Sequence, residues 1–308
     1  FGGWTGARAQ DTTDPTVSVT DPSDGAVVQS QDAIAGSATD NQQVTSVDLT
    51  IQRTSDGSYW DGGGWVGSST TVSATADDGA FDSGDENWSY DASSITSDDT
   101  YDITAEAVDG AGNVATTSTS YTIDATAPSV GAVSLTNDGA NNLDLQFEST
   151  ESLRSITVTV DGPSSSDVYS FDETDFSESG SGSSFTYTLA TGQAYAEGGG
   201  TYTAAVDDAL DAAGNDGADG SQTDSYELPT AQDVTPTTDE DTPISDGAPG
   251  VLGNDSPSDL EVSAVNGTGS DVGSQITLSS GALLTLNADG SYDYDPNGAF
   301  EALDTGET

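Results

Sequence analysis

The sequence predicts an all-β chain of three tandem Greek-key β-sandwiches, set end to end as an extended rod. Three observations carry this expectation. Short runs alternate apolar and polar residues along most of the chain, the period of a half-buried strand, and Gly, Asp, Asn and Pro punctuate them. The turn Asp109-Gly110-Ala111-Gly112-Asn113, which closes one such run, returns as Asp211-Ala212-Ala213-Gly214-Asn215, 102 residues later. Asp11-Thr12-Thr13-Asp14-Pro15 returns as Asp124-Ala125-Thr126-Ala127-Pro128, 113 residues later. Both spacings are about the size of one sandwich.

Taken in order, residues 1–13 form a Gly-rich arm around Trp4. It is either a loose terminus or an arm that docks on a neighbouring module or subunit through Trp4. Residues 14–125 make the first sandwich, with strands expected at 16–20, 33–38, 44–52, 72–76, 88–91, 101–108 and 115–123. Residues 126–230 make the second, a divergent copy with strands at 130–136, 143–148, 155–160, 184–189, 202–206 and 223–228. The acidic, Gly/Ser-rich stretch 172–183 reads as an exposed loop. Residues 231–308 make the third sandwich, which the sequence leaves incomplete.

In the first module the motifs Gly36-Ser37-Ala38-Thr39-Asp40, Tyr59-Trp60-Asp61-Gly62, Trp88-Ser89-Tyr90 and Ala107-Val108-Asp109-Gly110-Ala111-Gly112-Asn113 follow the opening Asp-Pro segment. Their order resembles the bacterial Ig-like modules of large surface proteins. In the third module Asp239-Glu240-Asp241-Thr242-Pro243, Val251-Leu252-Gly253-Asn254-Asp255, Val262-Ser263-Ala264-Val265-Asn266-Gly267 and Leu286-Asn287-Ala288-Asp289-Gly290-Ser291-Tyr292-Asp293-Tyr294 occur in turn. That order resembles the VCBS, cadherin-like repeats of giant prokaryotic surface proteins and covers about residues 231–300. The resemblance implies two further strands after the Pro296-Asn297 turn. We therefore expect a piece of a longer chain, with strands supplied by another subunit as the alternative. The absence of Met likewise reads as a processed or excised chain. Ala7-Arg8-Ala9 has the small-x-small pattern of a cleavage site but no apolar stretch before it, so it reads as a tail.

Composition narrows the partners. Fifty-four Asp and Glu face three Arg, with no Lys, for a formal charge of −51. In dilute salt such a surface repels itself; at about 1 M salt the screening length falls to about 3 Å and the repulsion fades. The balance reads as adaptation to high salt or to divalent cations. Hydrophobic residues are only 32%, which admits an acidic disordered chain. The regular alternation and the placed aromatics argue against that. With three Arg there is almost nothing to neutralise nucleic-acid phosphates, the charge disfavours anionic membrane surfaces, and no apolar run suits a membrane span. Without Cys no disulfide framework exists. Without His, Cys and Lys the usual bases, thiol nucleophiles and zinc ligands are missing, so enzyme activity is not expected.

Calcium is the cofactor the sequence suggests, as a structural ion at the joints. Hard cations take six to eight oxygens. In an Ig-type sandwich the start of the first strand shares a pole with two later loops. That grouping collects Asp14, Asp40 and Asp109, with Asn113 close, in module one. At the junction of modules one and two it collects Asp124, Glu148, Glu151, Asp211 and Asn215. A cation there offsets clustered charge and stiffens the joint. The competing reading is that these acids are solvated surface. A second constellation, Tyr59, Trp60 and Trp65 among Gly62, Gly63 and Gly64, suits either a sugar-stacking platform or a hairpin folded over the core. Asn87, Asn254 and Asn266 match the N-glycosylation acceptor pattern.

The expected function is structural: a stalk, adhesin or filament segment at the surface of, or secreted by, a salt-loving microbe, partnered by further copies or by neighbouring domains. A glycan-binding module and the tail fibre or spike of a virus of such an organism are the alternatives.

Overall fold

The computed structural model describes residues 10–137, 142–164, 168–190 and 199–301, and among them the fold is all-β, with strands, 3-10 turns and no α-helix. No helix among the described residues is long and apolar enough to cross a membrane. The first sandwich contains β1 (Thr16–Asp21), β2 (Ala26–Val28), β3 (Ala33–Thr39), β4 (Val44–Arg53), β5 (Tyr59–Trp60), β6 (Trp65–Val66), β7 (Val72–Ser73), β8 (Thr75–Ala76), β9 (Asp85–Asp91), β10 (Asp99–Asp109) and β11 (Val114–Ile123). They form two sheets, β1-β3-β9-β8 and β2-β11-β10-β4-β5-β6, with β7 also on β4.

The alternation sets the layers. On β10 Tyr101, Ile103, Ala105 and Ala107 turn inward. They lie opposite Arg53, Ile51, Leu49 and Val47 of β4, so the two strands put their apolar faces on one side. Ile34, Ala38 and Trp88 come from the other sheet and join them in one core. Trp88 packs so tightly on Gly36 that a Cβ there would sit 1.9 Å from the Ser18 carbonyl oxygen and 2.5 Å from the indole. The single strand expected at 72–76 is two: Val72–Ser73 pairs with β4, and Thr75–Ala76 with β9, so the chain changes sheet at Ala74. β2 pairs in parallel with β11; at three residues it is too short to show a period.

The second region contains β12 (Ser134–Asn137), β13 (Leu143–Ser149), β14 (Ser155–Asp161), β15 (Val168–Asp172), β16 (Phe176–Ser181), β17 (Ser184–Leu189), β18 (Gly200–Leu210) and β19 (Thr223–Leu228). Its sheets are β12-β13-β17-β16 and β15-β14-β18-β19, each burying alternate residues. The stretch 172–183 is not a loop. Asp172 ends β15, caps a 3-10 turn at Glu173–Asp175, and Phe176–Ser181 pairs with β17. β16 is an edge strand with no fully buried residue, so no apolar alternation marks it.

The third region has one sheet among the described residues. β20 (Ile244–Asp246), β21 (Gln275–Thr277), β22 (Leu283–Leu286) and β23 (Tyr292–Asp295) follow the order β20-β23-β22-β21.

By density of contacts the chain divides into two units. One is Phe1–Ser129 with Ser149–Ser155 and Asp208–Gly217; the other is Val130–Glu148, Ile156–Asp207 and Ala218–Thr308. The turns that follow β13 and β18 therefore belong with the first unit.

Candidate cation sites at the linker segments

Asp109 ends β10, where the register against β4 shifts between Val108 and Asp109. Asp109 continues the inward-facing set Tyr101, Ile103, Ala105 and Ala107 by alternation, and it is only 3% exposed. The next turn needs a left-handed residue, and Gly112 supplies it at φ +92°. Asp109 Oδ1 accepts the backbone N–H groups of Ala111 at 2.8 Å and Asn113 at 2.7 Å. The Asn113 side-chain amide donates to Asp109 Oδ2 at 2.7 Å, to the Thr13 carbonyl at 3.1 Å and to the Asp11 carbonyl at 3.4 Å. The turn thus grips the segment that leads into β1.

The second copy repeats the device. Gly214 has φ +94°. Asp211, 1% exposed, accepts from the backbone of Gly214 at 2.7 Å and Asn215 at 2.9 Å. The Asn215 amide donates to Asp211 Oδ2 at 2.8 Å, to the Asp124 carbonyl at 2.8 Å and to the Thr126 carbonyl at 3.4 Å. Asp11, Thr13, Asp109 and Asn113 therefore correspond in role to Asp124, Thr126, Asp211 and Asn215.

Each clamp carries three carboxylates. Oxygens of Asp11, Asp40 and Asp109 lie within 4.8 Å of one another, as do those of Asp124, Glu151 and Asp211. Asp11 takes the place expected for Asp14, which is exposed in front of the buried Pro15. The reason is the clamp itself: it holds the carbonyls of residues 11 and 13. The amides of Asn41 at 3.2 Å and Gln42 at 2.6 Å then hold the Asp11 carboxylate beside Asp40. Glu148 stands outside the second group. It lies on β13 between buried Phe147 and Ser149, so alternation turns it to solvent. Asn113 and Asn215 present their N–H groups to oxygen acceptors, so they act as organisers of the carboxylates and linkers.

The two clusters differ electrostatically. In the first, the Thr13 backbone N–H is the main cause that lowers the Asp11 pKa. Burial acts to raise Asp109, but hydrogen bonds from Asn113 and its neighbours outweigh it and the pKa is lowered. Asp40 Oδ1 accepts the N–H of Gln42 at 2.8 Å and of Gln43 at 3.0 Å. Its Oδ2 is buried with no hydrogen-bond partner among the described residues. In the second cluster, burial raises Asp124, and repulsion from Asp211 and Asp98 adds to it. Burial raises Glu151 too, followed by repulsion from Asp124, Asp211 and Asp98. Asp98 was not foreseen from sequence: its carboxylate accepts the Ala125 N–H at 2.9 Å and the Thr126 hydroxyl, a further hold on the linker. Asp11, by contrast, was available from the 113-residue repeat, which sets it against Asp124.

The aromatic strip is a hairpin, β5 with β6. Trp60 is 5% exposed and donates its Nε1–H to the Tyr90 hydroxyl at 2.8 Å, so no ring face of it is open to a sugar. Trp65 is half-buried, stacked on Tyr101 at 5.6 Å with the Arg53 guanidinium 4.8 Å from its ring. Asn87 lies exposed on β9, Asn254 points toward the Asp233 carbonyl at 3.4 Å, and Asn266 is exposed in a turn at φ +49°. Trp4 lies outside the described residues.

No family model matches the chain. It is 37% identical over 179 residues to Halomucin of Haloquadratum walsbyi; the match covers 56% of this chain and 2% of Halomucin. Among solved structures, a tetra-tandem repeat in the extending region of a large adhesion protein aligns with a TM-score of 0.32 and 20% identity, over 92% of this chain and 65% of that one. Dimeric latent PorU from Porphyromonas gingivalis aligns with a TM-score of 0.24 and 15% identity, over 76% of this chain and 25% of that one. At these scores neither structure bears on how this chain is arranged.

Proposed function

We propose that the chain is a structural spacer of an extracellular surface protein in a high-salt environment. Divalent cations, calcium among them, fasten its linkers at Asp11, Asp40 and Asp109 and at Asp124, Glu151 and Asp211. The observation that carries this reading is recurrence. The same asparagine–aspartate clamp, with three carboxylate oxygens within 4.8 Å, stands at two successive linkers. A surface that is merely acidic has no reason to reproduce the same backbone grip twice. The identity with Halomucin supports a surface structural role, and the charge of −51 supports a saline setting.

The chemistry fits a hard cation. The donors are carboxylate oxygens, three carboxylates carry three negative charges, and the remaining positions suit carbonyls and water. A bound cation relieves the mutual repulsion of Asp124, Asp211 and Glu151 and converts it into a link between the linker and the two turns. Isothermal titration of the chelator-treated chain with calcium at constant ionic strength tests this. Two sites are expected, one lost in Asp211→Asn and the other in Asp109→Asn. Calcium heats indistinguishable from dilution would sink the cation reading and leave only screening.

A further inference from the structure

We propose, independently of the cation sites, that Asn266 is a modification site: the one of the three N-glycosylation acceptor patterns that the folded chain presents to a glycan-transferring enzyme.

Val265-Asn266-Gly267-Thr268 is a hairpin with a two-residue tip. Val265 and Thr268 exchange both backbone hydrogen bonds, at 3.1 and 2.9 Å. A loop of that length favours positive φ at both central residues, and Asn-Gly is the pair that adopts it most readily. Asn266 stands at φ +49° and Gly267 at +78°. Val265, 6% exposed, roots the hairpin, while Asn266, Gly267 and Thr268 are all exposed. A Cβ added at Gly267 would meet nothing within 4 Å, so the tip projects into open space. Among the described residues neither the Asn266 carboxamide nor the Thr268 hydroxyl is spent on a hydrogen bond.

Turn chemistry explains the Asn-Gly pair but not the hydroxyl after it. Asn297-Gly298 supplies the comparison within the same chain. It has the same two left-handed residues, at φ +52° and +64°, and is exposed too. Ala299 follows it, so the hydroxyl that the acceptor pattern requires two positions on is missing. The Asn297 amide is also engaged, donating to the Gly281 carbonyl at 3.1 Å.

The other two patterns are closed by the fold. An enzyme that modifies Asn must take hold of all three residues of the pattern, backbone included. Asn87-Trp88-Ser89 lies within β9, which has β3 on one side and β8 on the other. The Asn87 carbonyl accepts the Asp77 N–H at 2.9 Å, and Trp88 is 1% exposed in the core. Presenting that pattern means opening the sheet. In Asn254-Asp255-Ser256 the asparagine amide reaches the Asp233 carbonyl at 3.4 Å. Ser256 exchanges both backbone hydrogen bonds with Thr230, at 2.7 and 3.1 Å, and its hydroxyl donates to Glu227.

The substrate class is an oligosaccharide activated as a lipid-linked pyrophosphate. A bond forms between Asn266 Nδ2 and the anomeric carbon of the first sugar. The bond from that carbon to the pyrophosphate oxygen breaks, the lipid pyrophosphate leaves with the electron pair, and the carboxamide nitrogen gives up one proton. The product carries a bulky, solubilising group on the protein surface.

The test incubates the folded full chain in molar salt with an oligosaccharyltransferase active in that salt and a lipid-linked oligosaccharide. A short free Asn-Gly-Thr peptide in the same mixture reports that the enzyme works. Intact mass and glycopeptide sequencing should find one glycan per chain, on Asn266, with Asn87, Asn254 and Asn297 unmodified. Thr268→Ala should abolish the modification and Thr268→Ser should retain it. Both leave the Asn-Gly tip intact, so the result does not depend on disturbing the turn. Unfolding the chain before the reaction should open Asn87 and Asn254. An unmodified Asn266 beside a glycosylated peptide overturns the proposal, as does conversion of Asn266 to Asp without sugar. Equal modification of Asn87 or Asn254 in the folded chain overturns it too, because the fold then selects nothing.

Discussion

Asn215 joins three chemically different groups: the carboxylate it organises and two carbonyls of the linker. Replacing it with Ala leaves Asp211, 1% exposed, without that donor. A lost hydrogen bond to a buried charge costs about 2 kcal/mol, so the Asn215→Ala melt should shift down clearly, and Asn113→Ala likewise. A melt within error of the parent would mean that the linker is held by other groups. The pKa directions give a second expectation. Asp124 and Glu151 are raised in the folded state by burial first and then by repulsion from neighbouring carboxylates, so the cation-free fold binds protons there more readily than the unfolded chain. Their contribution to stability therefore falls as pH rises through the carboxylate range. Asp11 and Asp109 are lowered and act with the opposite sign, losing stability as pH falls through their depressed values. Cation uptake needs ionised ligands, so acidification should weaken the second site first. Calcium titrations from about pH 7 to about pH 4 on Glu151→Gln, which keeps the first site, and Asp40→Asn, which keeps the second, measure the order. Equal loss with pH in the two variants would contradict it. Much of this site was legible: Asp40, Asp109, Asp124, Glu151 and Asp211 follow from sandwich loop order. Asp14 and Glu148 fall outside the two groups, because the choice there depends on which carbonyls an asparagine grips and on which side of β13 a residue falls. Sequence spacing alone does not resolve either.

At the scale of elements, alternation located most of the long strands and missed what it does not encode. β2 is too short, β16 is an edge with two wet faces, and the sheet change at Ala74 breaks no pattern. Close packing is the sharper constraint. Gly36→Ala places a methyl against the Ser18 carbonyl and the Trp88 ring, and overpacking of that kind costs about 1–3 kcal/mol. Gly110→Ala meets nothing closer than 3.9 Å and serves as the neutral control. Chemical denaturation of both should separate them, and equal midpoints would contradict the packing argument. Trp60→Ala removes a buried ring from the core and should cost about 3–5 kcal/mol, a stability defect that appears whether or not any glycan is present.

At the scale of the whole molecule, charge sets the conditions under which any of this holds. With 54 acids against three cations, thermal stability should climb steeply through a NaCl series as repulsion is screened; a flat series would remove the saline setting. Screening and specific binding must then be separated, because sodium at molar strength quiets the same carboxylates that a divalent cation is proposed to bridge. The most direct measurement is the melting temperature of the chelator-treated chain with calcium added, against sodium at matched ionic strength, for the parent and for a chain carrying Asp109→Asn and Asp211→Asn together. The account predicts a calcium-specific rise in the parent that disappears in the double variant, while both respond to sodium. Equal rises with the two salts, or a calcium effect that survives loss of both aspartates, would contradict it.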